Sequence, residues 1–218
     1  MLTPHPKHPN LYVHDHPAVW HKMTRLRDAR TDRHAFRSLT RRIAGLMVYE
    51  ATRELPVDRV EVDTPLETTS GVRLRGTVTV VPVLRAGLGM ADGVLDLLPE
   101  ARVGHIGMAR NEETLEPGEY LCKLPKDVGE GPVLMLDPML ATGGSAVAAI
   151  AHLKEMGASD IRFMCMVAAP EGVEAMRAAH DEIPIYAAAL DRELNEQGFI
   201  CPGLGDAGDR LYGTEQTA

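Results

Sequence analysis

The chain has 218 residues, 44% hydrophobic and 25% charged, with a net charge of -8. That length supports one sizeable core. The negative balance argues against nucleic acid, which wants a basic stripe, and no run of about 18 apolar residues exists to span a membrane. Aromatic residues are only 4% of the chain, so aliphatic side chains must build the core. Cys122, Cys165 and Cys201 are far apart, odd in number and form no CxxC pair, which disfavours a disulfide framework or a zinc site. The opening MLTPHPKHPN has no apolar h-region, so it does not read as a signal peptide and the expected location is the cytoplasm.

The first stretch carries His5, His8, His14, His16 and His21 among prolines that prevent a ligand-bearing helix. It reads as an arm lying on a neighbouring surface, and residues 1–56 as an arm plus helices. Residues 19–30 and 33–55 have helical periodicity; in the second, Phe36, Leu39, Ile43, Leu46, Met47 and Glu50 recur at three- and four-residue spacing, and Pro56 ends it. Residues 59–74, with Pro65 and Gly71, suggest a hairpin or excursion. Strand-like runs then follow at 77–84, 103–109, 133–136, 161–168 and 185–190. Helical segments stand between them at 88–98, 143–156 and 172–180, whereas 111–126 is a polar loop or hairpin. This alternation predicts an α/β fold over 77–190, a parallel sheet flanked by helices. Ligands bind such sheets beyond the carboxyl ends of the strands. Residues 195–218 form a glycine-rich tail, and no boundary divides residues 1–218 into independent domains.

Four segments at those loop positions carry chemistry. In VLMLDPMLATGGS an apolar strand ends in Asp137, and Thr142, Gly143, Gly144 and Ser145 stand where the first N–H groups of a helix are unpaired. Such a start binds phosphate through its N–H groups and dipole. Asp137 can face ribose hydroxyls or a hydrated Mg²⁺. The NTPase P-loop needs a Lys where Gly144 stands, which argues against nucleoside triphosphate hydrolysis. In PVLRAGLGMAD, Arg85 stands at a strand end among glycines, able to grip phosphate oxygens bidentately. In ARNEETLE, Arg110 follows another strand and opens a polar lid candidate. GLGDAG, residues 203–208, spells GxGxxG but is too close to the C-terminus to open a dinucleotide fold. Its glycines suit a loop whose backbone touches a small ligand, with Asp206 available to sugar or metal.

Taken together, VPVLRAGLGMADGVL, ARNEETLEP, LMLDPMLATGGS, VAAPEG and GFICPGLGDAGDRLYGT resemble the uracil phosphoribosyltransferase family, as does HKMTRLRD near the start. The resemblance spans residues 16–214. It implies the type I phosphoribosyltransferase fold: an N-terminal helical segment, a parallel sheet and a small C-terminal hood over residues 191–218. It implies transfer of ribose 5-phosphate from phosphoribosyl diphosphate (PRPP) to N1 of uracil, giving UMP. Carried over, the 5′-phosphate lies on Ala141, Thr142, Gly143, Gly144 and Ser145, with Pro138, Met139 and Leu140 completing the PRPP loop. Asp137 faces the ribose, Arg85 and Arg110 the diphosphate, and Asp206 also faces PRPP. Uracil is read by the backbone of Ile200, Gly205, Asp206 and Ala207. Mg²⁺ rides on the diphosphate, without a direct protein ligand. Homo-oligomers, dimers or tetramers, are implied, and GTP is an effector of some members.

Type I members for other bases usually place two acidic residues before the phosphate loop; Pro138 fills the second place here, as in the uracil branch. Two rival readings remain: a PRPP-sensing regulator without catalysis, and a transferase for another base. The net charge and the intact GLGDAG count against the regulator.

Overall fold

The computed structural model describes residues 2–110 and 117–214, and the side chains of all of these but 109, 110 and 117–119. A short hairpin, β1 (Pro4–His5) and β2 (His8–Val13), opens the chain. Helices α1 (Pro17–Arg27) and α2 (Arg33–Ala51) follow. Pro17 suits the first turn of α1, where an N–H would be unpaired anyway. Asp32 caps α2 by accepting from the Ala35 N–H at 2.8 Å. The buried stripe of α2 is Phe36, Leu39, Thr40, Ile43, Ala44, Met47, Val48 and Ala51. Leu46, expected on that stripe, is 38% exposed, because the period of 3.6 carries it past the edge of the buried arc.

An antiparallel hairpin, β3 (Val57–Asp63) and β4 (Thr68–Leu74), makes the expected excursion. The α/β region then runs β5 (Thr79–Leu84), α3 (Leu88–Leu95), β6 (Arg102–Val103), β7 (His105–Arg110), β8 (Pro117–Lys123), β9 (Val133–Leu136) and β10 (Met139–Leu140). It continues with α4 (Gly144–Glu155), β11 (Ile161–Ala168), α5 (Pro170–Ala179) and β12 (Ile185–Leu190). The C-terminal segment holds β13 (Glu193–Leu194), β14 (Ile200–Cys201) and α6 (Ala207–Tyr212). The run expected at 103–109 is two strands, β6 and β7, both paired with β5. Residues 117–123, expected within a loop or hairpin, form β8, antiparallel to β7.

The main sheet runs β1-β2-β12-β11-β9-β5-β7-β8. Ladders from β2 through β7 are parallel, and β1 and β8 close the edges antiparallel. The N-terminal arm therefore belongs to the chain's own sheet: β2 pairs with β12, and Leu11 is fully buried. The order reverses between β5 and β9, and such a switch point is where open α/β sheets bind ligands. The central strands β5, β9 and β11 are buried on both faces, which explains their apolar runs. Leu134 and Leu136 of β9 pack with α1, α2, α3 and α6. Val133 and Met135 pack with α4 and α5.

Candidate active site

The switch point brings the ends of β5 and β9 side by side, with Pro82 of β5 in register with Leu136 of β9. Arg85 and Asp137 are each the first residue past these strands, so the sheet delivers an arginine and a carboxylate to the same end. Gly87 packs close against both strand ends; a Cβ there would stand 2.7 Å from the Val83 carbonyl and collide with that of Leu136. The Leu84–Arg85 peptide is cis.

Asp137 is half-buried and accepts a hydrogen bond from the Met139 N–H at 3.2 Å. Burial pushes its carboxyl up to about 7, against the opposing pull of that N–H. Desolvation penalises the ionised form, as expected where apolar strands surround a carboxylate. A carboxyl poised near neutrality at a strand tip is a functional-site signature.

Past Asp137 the chain makes β10, then turns into α4 at Gly143 (φ 83°), a left-handed cap that glycine adopts without penalty. Thr142, Gly143, Gly144 and Ser145 thus occupy the helix start, as the sequence predicts, with the N–H groups of the first turn unpaired within the helix. Gly172 of α5 presses on the back of this loop: a Cβ there would stand 2.7 Å from the Leu140 carbonyl and collide with that of Ala141. VAAPEG is therefore the floor under the loop, a role that no local signal reveals. In front, a Cβ on Gly198 would reach to 4.0 Å from Thr142 Cγ2, so the C-terminal segment touches the loop.

Asp206 caps α6 by accepting from the Asp209 N–H at 2.8 Å. Arg85, Met139, Asp206 and Ala207, together with Met108 and Tyr120, line one cleft of about 400 Å³. Gly205 and Asp206 also line an adjacent cleft of about 330 Å³ with Arg27 and Arg210. Ile200 is buried, pairing with Leu194 between β13 and β14. Arg110 ends β7 on the next strand over, but its side chain and the lid candidate at 111–116 lie outside the described residues. A larger cleft of about 830 Å³ lies between α2 and α3, lined by His34, Arg37, Arg41 and Arg42. It sits in the helical layer, away from the strand tips, so the smaller cleft fits the chemistry.

Several residues outside the sequence-derived set hold this arrangement. Arg27 donates to both oxygens of Asp191, at 2.7 and 2.6 Å, and to the Gly203 carbonyl at 2.6 Å. The Gly203 N–H donates back to Asp191 at 2.8 Å. Arg210 donates to the carbonyls of Leu26, Asp28 and Leu204 and stacks 4.3 Å from the Phe36 ring. The HKMTRLRD helix is thereby stapled to the GLGDAG loop. The motif pair was visible in the sequence, whereas the pairing across 164 residues was not. The glycine-rich tail forms α6, whose signal was the Asp206 cap followed by Leu211 and Tyr212.

The fold is shared with adenine phosphoribosyltransferase from Trypanosoma brucei, at a TM-score of 0.55 and 11% identity over 91% of this chain and 89% of that one. A hypoxanthine-guanine phosphoribosyltransferase from Bacillus anthracis superposes at 0.51 and 11% identity, over 73% and 80%. The chain thus has the fold of the type I phosphoribosyltransferases.

A finer match follows. The AQ2163 protein from Aquifex aeolicus has a TM-score of 0.90 and 35% identity, covering 95% of this chain and 100% of that one. The family model described as uracil phosphoribosyltransferase matches residues 13–214. A uracil phosphoribosyltransferase from Bacillus velezensis is 56% identical over 206 residues, 94% of this chain and 99% of its own. Another from Geobacillus sp. is 54% identical over the same shares. The chain belongs to the uracil phosphoribosyltransferase family.

Proposed function

We propose that the protein transfers the 5-phosphoribosyl group of PRPP to N1 of uracil, releasing diphosphate and forming UMP. The carrying observation is the single cleft that sets Arg85 and Met139 of the strand-tip loops against Asp206 and Ala207 of the C-terminal segment. In this reading Ala141 to Ser145 hold the 5′-phosphate, Pro138 to Leu140 complete the PRPP loop, and Asp137 faces the ribose hydroxyls. Arg85 and Arg110 face the diphosphate, and the segment over 191–218 acts as the hood. The backbone of Ile200, Gly205, Asp206 and Ala207 reads uracil.

As the C1′–oxygen bond to diphosphate breaks, positive charge builds on the ribose and negative charge on the leaving group. Arg85 and Arg110 stabilise the leaving anion, which is charge stabilisation aimed at the transition state. Holding N1 of uracil in line with C1′ supplies proximity. Uracil offers a donor at N3 and an acceptor at O4, and cytosine reverses that pair. A backbone site matched to uracil leaves buried groups unpaired with cytosine.

Magnesium fits this donor set as a substrate-borne ion. Among the described residues no three His, Cys, Asp or Glu side chains converge as a metal group, and Mg²⁺ is commonly held by substrate phosphates plus one or two carboxylates. Asp206, exposed at the cleft, is an available oxygen donor. Bound there, Mg²⁺ would neutralise part of the diphosphate charge.

The same reading includes a cytoplasmic homo-oligomer, and GTP enters the assay below because it is an effector of some family members. Among the described residues no helix is long and apolar enough to cross a membrane. The hairpin β3–β4 presents Val57, Val62, Leu66, Val72 and Leu74 at 40 to 96% exposure, which supports pairing with a second copy of the chain. The cleft between α2 and α3 sets Arg37 and Arg42, cations a triphosphate needs, beside an Arg41 that is paired with Asp96. The decisive experiment mixes the protein with PRPP, Mg²⁺ and labelled uracil, cytosine or hypoxanthine side by side, with and without GTP. UMP forms from uracil alone. Tight PRPP binding without UMP would show a regulator instead.

A further inference from the structure

Away from the strand tips, a cysteine, a histidine and a glutamate line up between β8 and the last turn of α4. Cys122 Sγ lies 3.2 Å from His152 Nε2. His152 Nδ1 in turn faces Glu155 Oε2 at 3.8 Å. Cys122 is half-buried, while the side chains of His152 and Glu155 are 31% and 77% exposed. The thiol is therefore within reach of a small reagent while its neighbours stay fixed by the helix.

Cys122 is in register with Ile106 of β7 and packs against the buried apolar cluster that includes Ile106. Lys123 and His105 pair with each other one register step away, and so lie on the opposite face of the ladder. On α4, Lys154 is turned toward Glu182 and His180. His152 faces Cys122 directly, and Glu155 lies behind it.

We propose that Cys122 and His152 form a thiol–imidazole pair that makes Cys122 a nucleophilic modification site for small disulfides. His152 Nε2 takes the thiol proton, leaving a thiolate beside an imidazolium. The thiolate attacks one sulfur of a small disulfide; the new S–S bond forms as the old one breaks, and the departing thiolate takes up a proton. The product is a mixed disulfide at Cys122, reversed by added thiol. Apolar packing alone would be the competing account of Cys122, and it predicts an ordinary or raised thiol pKa.

The chain carries its own references. Cys201 is also half-buried, with its Sγ directed at the Phe199 carbonyl at 3.9 Å, and Cys165 is fully buried. The test is alkylation of the intact protein by iodoacetamide between pH 6 and 9, with each cysteine's rate read by peptide mass. At pH 6.5 Cys122 reacts about tenfold faster than Cys201, and the ratio narrows toward pH 9, because reactivity follows the thiolate fraction. His152→Gln lowers the Cys122 rate at pH 6.5 by about the same factor and leaves Cys201 unchanged. Oxidised glutathione adds one adduct, at Cys122. Equal rates for Cys122 and Cys201 across the pH range would overturn the proposal, as would a Cys122 rate that ignores His152→Gln. Should that variant misfold, the wild-type pH profile decides alone.

Discussion

The phenol of Tyr212 donates to the carbonyl oxygen of Arg85 at 3.1 Å, joining the last turn of α6 to the strand-tip loop after β5. The Arg85 guanidinium then lies 5.9 Å from the Tyr212 ring, 3.8 Å from Asp209 Oδ1 and 3.4 Å from Thr214 Oγ1. The C-terminal segment thus also holds Arg85, the arginine proposed to face the diphosphate. Tyr212→Phe removes one hydrogen bond of about 1 kcal/mol. We expect a fall of about fivefold in kcat/KM for PRPP with little change in thermal midpoint. Steady-state kinetics check this, and a variant indistinguishable from wild type would show that Arg85 is aimed by other contacts.

Asp137 couples function to stability through its raised carboxyl. Its native pKa is about 7, whereas an unfolded Asp titrates near 3.9. Between those values the native state keeps a proton that the unfolded state has released, so the contribution of this group to stability falls as pH rises from about 4 to 7. Asp137→Asn removes that titration. Its thermal midpoint relative to wild type should rise between pH 5 and pH 8, by an amount equivalent to at least about 1 kcal/mol. Turnover should fall strongly at every pH, while the wild-type kcat/KM for PRPP climbs through about pH 7. Scanning calorimetry at the two pH values and a pH–rate profile measure both. A variant that loses its circular dichroism signal would remove Asp137 from the site and place it in the core.

Gly172 gives a prediction about the phosphate loop from behind. A Cβ at this position would press on the carbonyls of Leu140 and Ala141. Gly172→Ala should displace the loop, raising KM for PRPP about tenfold or more, since misplacement near 1 Å can cost that and beyond. Helix α5 should persist, because alanine is a better helix former than glycine. Calorimetric titration with PRPP tests it; unchanged affinity would mean the loop yields without cost.

The Arg27–Asp191 pair is the strongest candidate for a structural staple of the hood. Asp191 is only 5% exposed at its side chain and Arg27 24%. Removing one partner leaves a buried charge or a set of unpaired acceptors, typically costing about 3–5 kcal/mol. Arg27→Met should therefore destabilise the protein strongly and raise KM for uracil. The double variant with Asp191→Asn should recover part of the loss. Chemical denaturation of the three variants provides the cycle, and additive losses would argue against direct coupling.

Arg110→Ala should cut turnover strongly with the fold intact, since Arg110 ends β7 beside the strand-tip cleft. Kinetics with circular dichroism as a control checks this.

Much of this molecule was legible along the chain. The apolar β-branched runs, their spacing and the glycines of residues 133–156 report local preferences, which act between near neighbours and leave a period in the sequence. They determined a parallel α/β sheet, a carboxylate at a strand tip and a helix start suited to phosphate. What local preference does not encode is which distant segments meet. That Arg27 grips Asp191, that Gly172 floors the Ala141 loop, and that Tyr212 reaches Arg85 follow from packing of the two helical layers on one twisted sheet. The N-terminal strand and α6 were hidden for the same reason: both are short, and what holds them is burial of Leu11 and Leu211 against remote elements. Short elements have little intrinsic stability, so tertiary contact alone decides that they exist.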